Sequence, residues 1–344
     1  MAGEYRFSFG PWNIHEGGDP FGPTVRDTIP FADKVKLYKK LGFEGVQFHD
    51  DDAVPDMNEL GPQEITKQAE QVRKILDDEG LTAEFVAPRL WEDPLTVDGA
   101  YTANDPKARM YAKDRSRRAI DIALALGTKL IVLWLAREGT YIREAKDSKL
   151  AVDRLVEAID DMLDYNTDIR IAIEPKPNEP MDQAYIPTTG HAMALGYLTK
   201  DPGRVGVNIE TAHAILAGLD PSDEMGFALA YDKLYTVHLN DQNGLKFDED
   251  KSFGSVNLRR AFDQVLILDK YDYGKRGEFV GLDVKTMRTQ KLEASTKHLS
   301  NSRTVFLRLV ELVRSLDAKK IEQFQTDRDY EELDMLIMSH LLGK

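Results

Sequence analysis

The sequence predicts an α/β fold, a (β/α)8 barrel with a C-terminal helical extension. Three observations predict it: eight short β-branched or aromatic runs, longer amphipathic segments between them, and no glycine-rich nucleotide loop of the kind that opens a doubly wound sheet. The first run is Tyr5 to Phe9, followed by the helical stripe Phe31 to Leu41 and a stop at Gly42. Gly45 to His49 comes second, with Glu64 to Glu79 and Gly80 behind it. Ala83 to Ala87 leads into Pro106 to Leu126, closed by Gly127, and Lys129 to Trp134 leads into Ser148 to Tyr165. Apolar residues recur along these stripes at helical spacing, and a glycine past the last of them supplies the left-handed residue that ends a helix. Arg170 to Glu174, Arg204 to Ile209, Leu234 to Leu239 and Glu278 to Asp283 complete the strands. Strands joined by long crossovers pair in parallel, and eight of them suit a closed barrel. After about Asn301 no strand recurs. Residues 1–300 therefore read as the barrel and 301–344 as a helical arm, whose apolar faces at Phe306 to Leu316 and Met335 to Leu342 are expected to meet another surface or subunit.

Composition narrows the chemistry. At 344 residues and 42% apolar content the chain can bury one large core. It has no cysteine, which excludes disulfides, thiol nucleophiles and cysteine-bound zinc and leaves carboxylates and histidines as the strong metal ligands. A net charge of −14 repels nucleic-acid phosphates and anionic membranes, so neither is expected as a partner; a neutral small molecule or metal cations fit better. No basic-then-apolar leader precedes the first run, and no apolar stretch approaches the ~20 residues that cross a bilayer. A cytoplasmic location is expected.

In such barrels the functional groups stand at the carboxyl ends of strands. Four neighbouring strands here end in polar groups: Ile173-Glu174, Ile209-Glu210, Val237-His238 and Leu282-Asp283. Three carboxylates held together at a barrel mouth repel one another, and a hard divalent cation is the simplest compensation. A lone strand-end carboxylate is more often merely solvated; four convergent groups argue for a metal site. A second cluster joins Glu210 to His213, three residues on, and to Asp248 and Asp250 in an acidic loop. Glu210 is placed to bridge two ions, which together polarise two adjacent oxygens of a ligand. His49 opens the run His49-Asp50-Asp51-Asp52, where a carboxylate neighbour can set the tautomer of a proton-transfer group. Trp12, Phe21, Trp91 and Trp134 fall at or just after strand ends and offer flat faces to a sugar ring or, as the plainer alternative, pack the barrel rim. Lys176, in the proline-stiffened loop after Glu174, can hold a hydroxyl or carbonyl oxygen.

These segments resemble the bacterial xylose isomerase family over most of the chain. The resemblance is carried by Phe9-Gly10-Pro11-Trp12, Gly18-Asp19-Pro20-Phe21-Gly22, Phe48-His49-Asp50-Asp51-Asp52, Arg137-Glu138-Gly139 and, most specifically, Glu174-Pro175-Lys176-Pro177-Asn178-Glu179-Pro180. It continues through Glu210 with His213, Lys246-Phe247-Asp248-Glu249-Asp250, Asp283 with Lys285, and His340-Leu341-Leu342-Gly343. It implies an aldose–ketose isomerase using one or two divalent ions (Mn2+, Mg2+ or Co2+), in which His49, oriented by Asp52, assists opening of a cyclic sugar. Glu174, Glu210 and Asp283 would hold one ion, Glu210, His213, Asp248 and Asp250 the other, and Lys176 would support the carbonyl oxygen during a hydride shift. Trp12, Trp134 and Phe21 would wall the pocket, Phe21 reaching a neighbouring subunit of a homo-tetramer or dimer.

The departures are informative. His238 stands where the family has an aspartate ligand, which removes a charge and shifts preference away from Mg2+. Arg89, Ala87 and Trp91 replace an asparagine, a threonine and a phenylalanine, and Leu135-Ala136 replaces a glycine pair, so the substrate pocket has been rebuilt. Arg89 would suit an acidic, larger or differently configured sugar. The three carboxylates with a histidine also resemble single-metal sugar epimerases, which leaves proton-transfer chemistry on a sugar as one alternative. A non-catalytic sugar-binding or subunit protein is another.

Overall fold

The computed structural model describes residues 5–343. Eight parallel strands close on themselves in chain order: β1 (Phe7–Phe9), β2 (Gly45–His49), β3 (Thr82–Ala87), β4 (Leu130–Trp134), β5 (Arg170–Glu174), β6 (Val205–Glu210), β7 (Leu234–Leu239) and β8 (Val280–Leu282). Phe7 and Phe9 of β1 pair with Val280 and Leu282 of β8 and so shut the barrel. The main helix after each strand is, in order, α1 (Phe31–Lys40), α2 (Pro62–Asp78), α3 (Pro106–Leu126), α4 (Ser148–Tyr165), α5 (Thr189–Leu198), α6 (Pro221–Ala230), α7 (Leu258–Lys270) and α8 (Lys297–Ser315). Side-chain caps start several of them: Asp105, Asp147, Thr188, Asp220 and Asn257 each accept a backbone N–H of the first turn. Gly127 ends α3 at a φ of 89°, as its place in the sequence predicts, because a side chain resists that left-handed geometry.

Residues such as Val46, Phe48, Ile131, Ile171, Ile173 and Val237 face the helices and form the main core with them. The barrel interior is different in kind. Phe85, Ala87, Val132 and Ala172 fill part of it, while Ser8, Gln47, Asn208 and Thr236 bring fully buried polar groups. Two breaks in register shape this interior. Val46 pairs with Ala83 and Gln47 with Phe85, which leaves Glu84 as an extra residue, and a matching shift between β6 and β7 leaves Tyr235 extra. Such bulges redirect side chains that strict alternation would send elsewhere.

The expected boundary at 300/301 falls inside α8. The apolar stripe from Phe306, anticipated as a face for another surface, is the barrel's own packing: Phe306, Leu309 and Val310 are buried, and Phe306 stacks edge-on against Tyr5 and Phe7. An eighth strand exposes its outer face unless an eighth helix covers it, and α8 does so. Beyond α8 lie two helices, Ala318–Asp327 and Tyr330–Leu341; the first buries none of its residues and the second only Ile337. Among the described residues no helix is long and apolar enough to cross a membrane.

Candidate metal centre and cavity

Glu174 closes β5, Glu210 closes β6, His238 is the penultimate residue of β7, and Asp283 follows β8. Pairing in the barrel sets Glu210 directly beside His238. His213 sits on the short helix Thr211–Leu216, one turn beyond Glu210, and Asp248 and Asp250 enter on the loop between β7 and α7. All seven predicted ligands thus meet at the carboxyl end of the barrel.

Their donor atoms aim at shared points. His238 Nδ1 lies 3.5 Å from Glu174 Oε2, 3.7 Å from Asp283 Oδ2 and 3.9 Å from Glu210 Oε2. His213 places Nε2 at 3.0 Å from Asp248 Oδ2 and 3.3 Å from Glu210 Oε2. Three triplets gather donors within 4.8 Å of one another: Glu174, Glu210 and His213; Glu210, His238 and Asp283; Glu210, Asp248 and Asp250. Glu210 belongs to every triplet, the arrangement the sequence suggests for a bridging carboxylate.

The donor set fits a cation. Nδ1 of both histidines and Oδ1 of Asp248 are buried without a hydrogen-bond partner among the described residues, which is costly unless something positive joins them. Burial raises the Glu210 carboxyl well above the ordinary range, and Asp248, Asp283, Glu174 and Asp250 push it the same way. Asp250 is raised by burial and by Asp248, with Lys285 at 2.9 Å opposing. Burial would raise Glu174 too, but His238 outweighs it and draws the group down to about 2. Burial would lower His238, yet Glu174 and Asp283 lift it to about 9. In Asp248, His213 and Lys176 overcome burial and hold the carboxyl low. This opposition of neighbours is what a bound divalent ion relieves.

Above the cluster opens a cavity of about 540 Å³ with His49, Trp12, Trp91, Trp134 and Lys176 on its wall. The Trp12 and His49 rings lie 4.3 Å apart, and Trp91 meets Trp134 edge-on at 4.5 Å. The Trp12 indole N–H donates to Asp283 Oδ1 at 2.9 Å, so the same residue walls the cavity and steadies a ligand. Lys176 Nζ donates to Asp248 Oδ2 at 2.9 Å, and Glu179 lies 3.4 Å away. Its ammonium is raised above its ordinary range: burial opposes, Asp248 and Glu210 prevail.

Asp52 accepts the backbone N–H of His49 at 2.9 Å and lies 3.0 Å from its Nδ1, as expected for an orienting carboxylate. The sequence suggests Arg89 as a substrate-facing cation. It lines the cavity, but its guanidinium is met within the fold by Asp51 at 2.7 Å, Glu92 at 3.0 Å and Asp52 at 3.3 Å, with His49 Nδ1 at 2.7 Å. A guanidinium only donates, so Arg89 and Asp52 favour opposite tautomers of His49. Phe21 is not brought to the cavity of its own chain and stands 97% exposed.

Sequence reasoning passed over the amides that hold the ligands. Asn208 Nδ2 donates to Glu174 at 2.7 Å, Asn240 Nδ2 to Glu210 at 2.9 Å, and Asn13 Nδ2 to Asp283 at 3.2 Å. Asn208 carried a signal, since it stands two residues before Glu210 and so on the same face of β6.

Fold and site together define a (β/α)8 barrel whose mouth carries a carboxylate–histidine cluster beneath an aromatic cavity. The model of the xylose isomerase-like TIM barrel matches residues 35–272. A xylose isomerase from Thermus thermophilus is 34% identical over 335 residues, covering 96% of this chain and 83% of that protein. Among solved structures, a D-psicose 3-epimerase superimposes with a TM-score of 0.63 at 16% identity over 89% of this chain and 99% of its own. The IOLI protein with a zinc atom superimposes with a TM-score of 0.62 at 14% identity, covering 90% and 100%. The chain belongs to the xylose isomerase-like TIM barrel family.

Proposed function

We propose that this protein is a divalent-metal-dependent sugar isomerase that interconverts an aldose and a ketose by a hydride shift. The observation that carries this reading is Glu210, common to all three donor triplets directly beneath the His49–tryptophan cavity. Glu174, His238 and Asp283 would complete one cation site with it, and His213, Asp248 and Asp250 the other. A bound divalent cation supplies Lewis-acid polarisation of neighbouring sugar oxygens. The chain's own groups do the rest. His49, with Nδ1 held by Asp52, offers a basic Nε2 that would take the proton of the anomeric hydroxyl and return it to the ring oxygen as the bond from that oxygen to the anomeric carbon breaks. Trp12, Trp91 and Trp134 cover the apolar face of the sugar and exclude water. Lys176, drawn toward the cluster by Asp248, holds the developing carbonyl oxygen. Because Arg89 is already surrounded by Asp51, Asp52 and Glu92, a neutral sugar suits the pocket better than an acidic one.

A second reading is proton-transfer chemistry such as epimerisation, favoured by His238 standing among Glu174, Glu210 and Asp283. The test is metal-stripped protein reloaded with Mn2+, Co2+ or Mg2+ and assayed in D2O against a panel of aldoses and ketoses. Aldose–ketose interconversion without deuterium at carbon is expected. Deuterium at carbon replaces the first reading by the second, and sugar binding without turnover under any ion identifies a non-catalytic barrel.

A further inference from the structure

Beneath the metal cluster, inside the barrel, lies a polar group that the proposed reaction does not use. Glu84 reaches the interior at the break in register on β3. Its Oε1 accepts from Thr236 at 2.6 Å, and its Oε2 accepts from Ser8 and, at 3.3 Å, from Gln47 Nε2. Gln47 Nε2 also donates to Ser8 Oγ at 3.1 Å. These four residues are buried and come from β1, β2, β3 and β7. The Gln47 amide presents its nitrogen to Glu84, as an ionised carboxylate, which only accepts, requires.

Two atoms here are left over. Gln47 Oε1 is buried without a hydrogen-bond partner among the described residues, and so is His238 Nε2, while the other ring nitrogen, Nδ1, is the one that meets Glu174, Glu210 and Asp283. The two side chains are neighbours across Gly281, where a Cβ would stand 2.6 Å from Gln47 Nε2 and 3.3 Å from His238 Cδ2. No hydrogen bond joins the two atoms in this structure, but an amide oxygen accepts and an imidazole N–H donates, so each supplies what the other lacks and a small shift would pair them. A histidine that ligates through one nitrogen ordinarily donates the other N–H to a fixed acceptor, which sets the tautomer and the direction of the lone pair.

We propose that Gln47 and Glu84 are positioning residues for His238: with a cation bound, the Gln47 amide oxygen accepts the Nε2 hydrogen of the imidazole, and Glu84, by holding the amide nitrogen, leaves that oxygen free to do so, so that Nδ1 faces the barrel mouth bare. The inference rests on the metal reading above and deepens it. The break in register at Glu84 then serves the metal centre, since it delivers the carboxyl that orients the amide.

The experiment is Co2+ binding by chelator competition, with the visible spectrum of the bound ion recorded, for wild type, Gln47→Leu, Glu84→Gln and the double variant, each checked for folding by thermal melting. Gln47→Leu is expected to weaken one class of Co2+ site by about ten- to hundredfold and to alter its spectrum. Glu84→Gln should weaken it comparably, and the double variant should lose no more than Gln47→Leu alone, because Glu84 acts through the amide. Wild-type affinity in Gln47→Leu, or losses that add, overturns the proposal. Wild-type protein that takes up no Co2+ strikes the metal reading itself. A measurement needing no variant at these two positions is nitrogen-15 NMR of the histidine rings in Zn2+-loaded protein, with His238 assigned by its loss in His238→Asn. Ligation through Nδ1 with a slowly exchanging Nε2 hydrogen is expected, and ligation through Nε2 overturns the inference.

Discussion

His238 changes the charge of the centre, because an imidazole that ligates a cation is neutral and, beside Glu174, Glu210 and Asp283, leaves one negative charge fewer than a fourth carboxylate would. Imidazole suits Co2+ and Zn2+, whereas carboxylate suits Mg2+. His238→Asp is therefore expected to raise Mg2+ affinity relative to Co2+, read from competition titrations, and an unchanged ratio would place His238 outside the coordination set. His298 makes a different kind of statement. Buried on α8, its Nε2 lies 2.9 Å from the Asn13 carbonyl, and burial lowers its pKa from 6.5 to about 4, with Arg26 adding to the effect. The unfolded chain takes up this proton near pH 6.5 and the folded chain only near 4, so the neutral ring's stabilisation is complete above 6.5 and is lost as pH falls across that interval. The loss amounts to about 3 kcal/mol at most. Denaturation midpoints between pH 7 and 4 should fall more steeply in wild type than in His298→Asn; parallel curves would mean that the ring binds its proton equally well in the folded and unfolded chain.

At the scale of elements, the turn that presents His49 is anchored from below. Asp50 starts the short helix Asp50–Ala53, is fully buried, and receives two hydrogen bonds of 2.7 Å from Arg115 on α3. Burial raises the Asp50 carboxyl even against the pull of Arg115, which marks how much desolvation the pair carries. Removing one partner of such a pair leaves the other buried and uncompensated, at about 3–5 kcal/mol. Arg115→Leu is expected to cost about that much in thermal or denaturant unfolding and, by loosening the turn, to lower turnover more than metal affinity. A loss confined to stability would show that His49 keeps its place without α3. The strand-end ligands were legible in the sequence because they terminate apolar runs, a local pattern. Glu84 was not, since strict alternation assigns it no place in the interior and the break in register that redirects it depends on how β2 and β3 pair. Arg89 was legible as a cation near the cavity, but its partners are contributed by two separate segments, so its engagement became visible with the fold.

At the scale of the molecule, the helices beyond α8 bury almost nothing in a single chain and leave Tyr330, Met335 and Leu342 exposed. Helices of 10 and 12 residues have little stability of their own in water. With Phe21 projecting 97% exposed from the rim, we propose that these surfaces meet in a homo-dimer or tetramer. Light scattering behind size exclusion is expected to give a multiple of the chain mass. Phe21→Ala should weaken substrate binding if the ring completes a neighbour's cavity, and truncation after Leu316 should lower the assembly state. A monodisperse monomer at micromolar concentration would refute the assembly.

By itself the sequence determined the (β/α)8 plan, the order of its strands and the identity of the clustered carboxylates and histidines, because hydrophobic periodicity and the polar residue that ends each run are written within a few consecutive positions. The tertiary structure decided what only barrel closure can decide. It placed α8 with the barrel because β8 needs a cover, enclosed Arg89 in carboxylates, and set Gln47 and Glu84 beneath His238. Each of these is a contact between distant segments, fixed by the register in which neighbouring strands pair and by the union of β1 with β8, and neither quantity is carried by any one stretch of the chain.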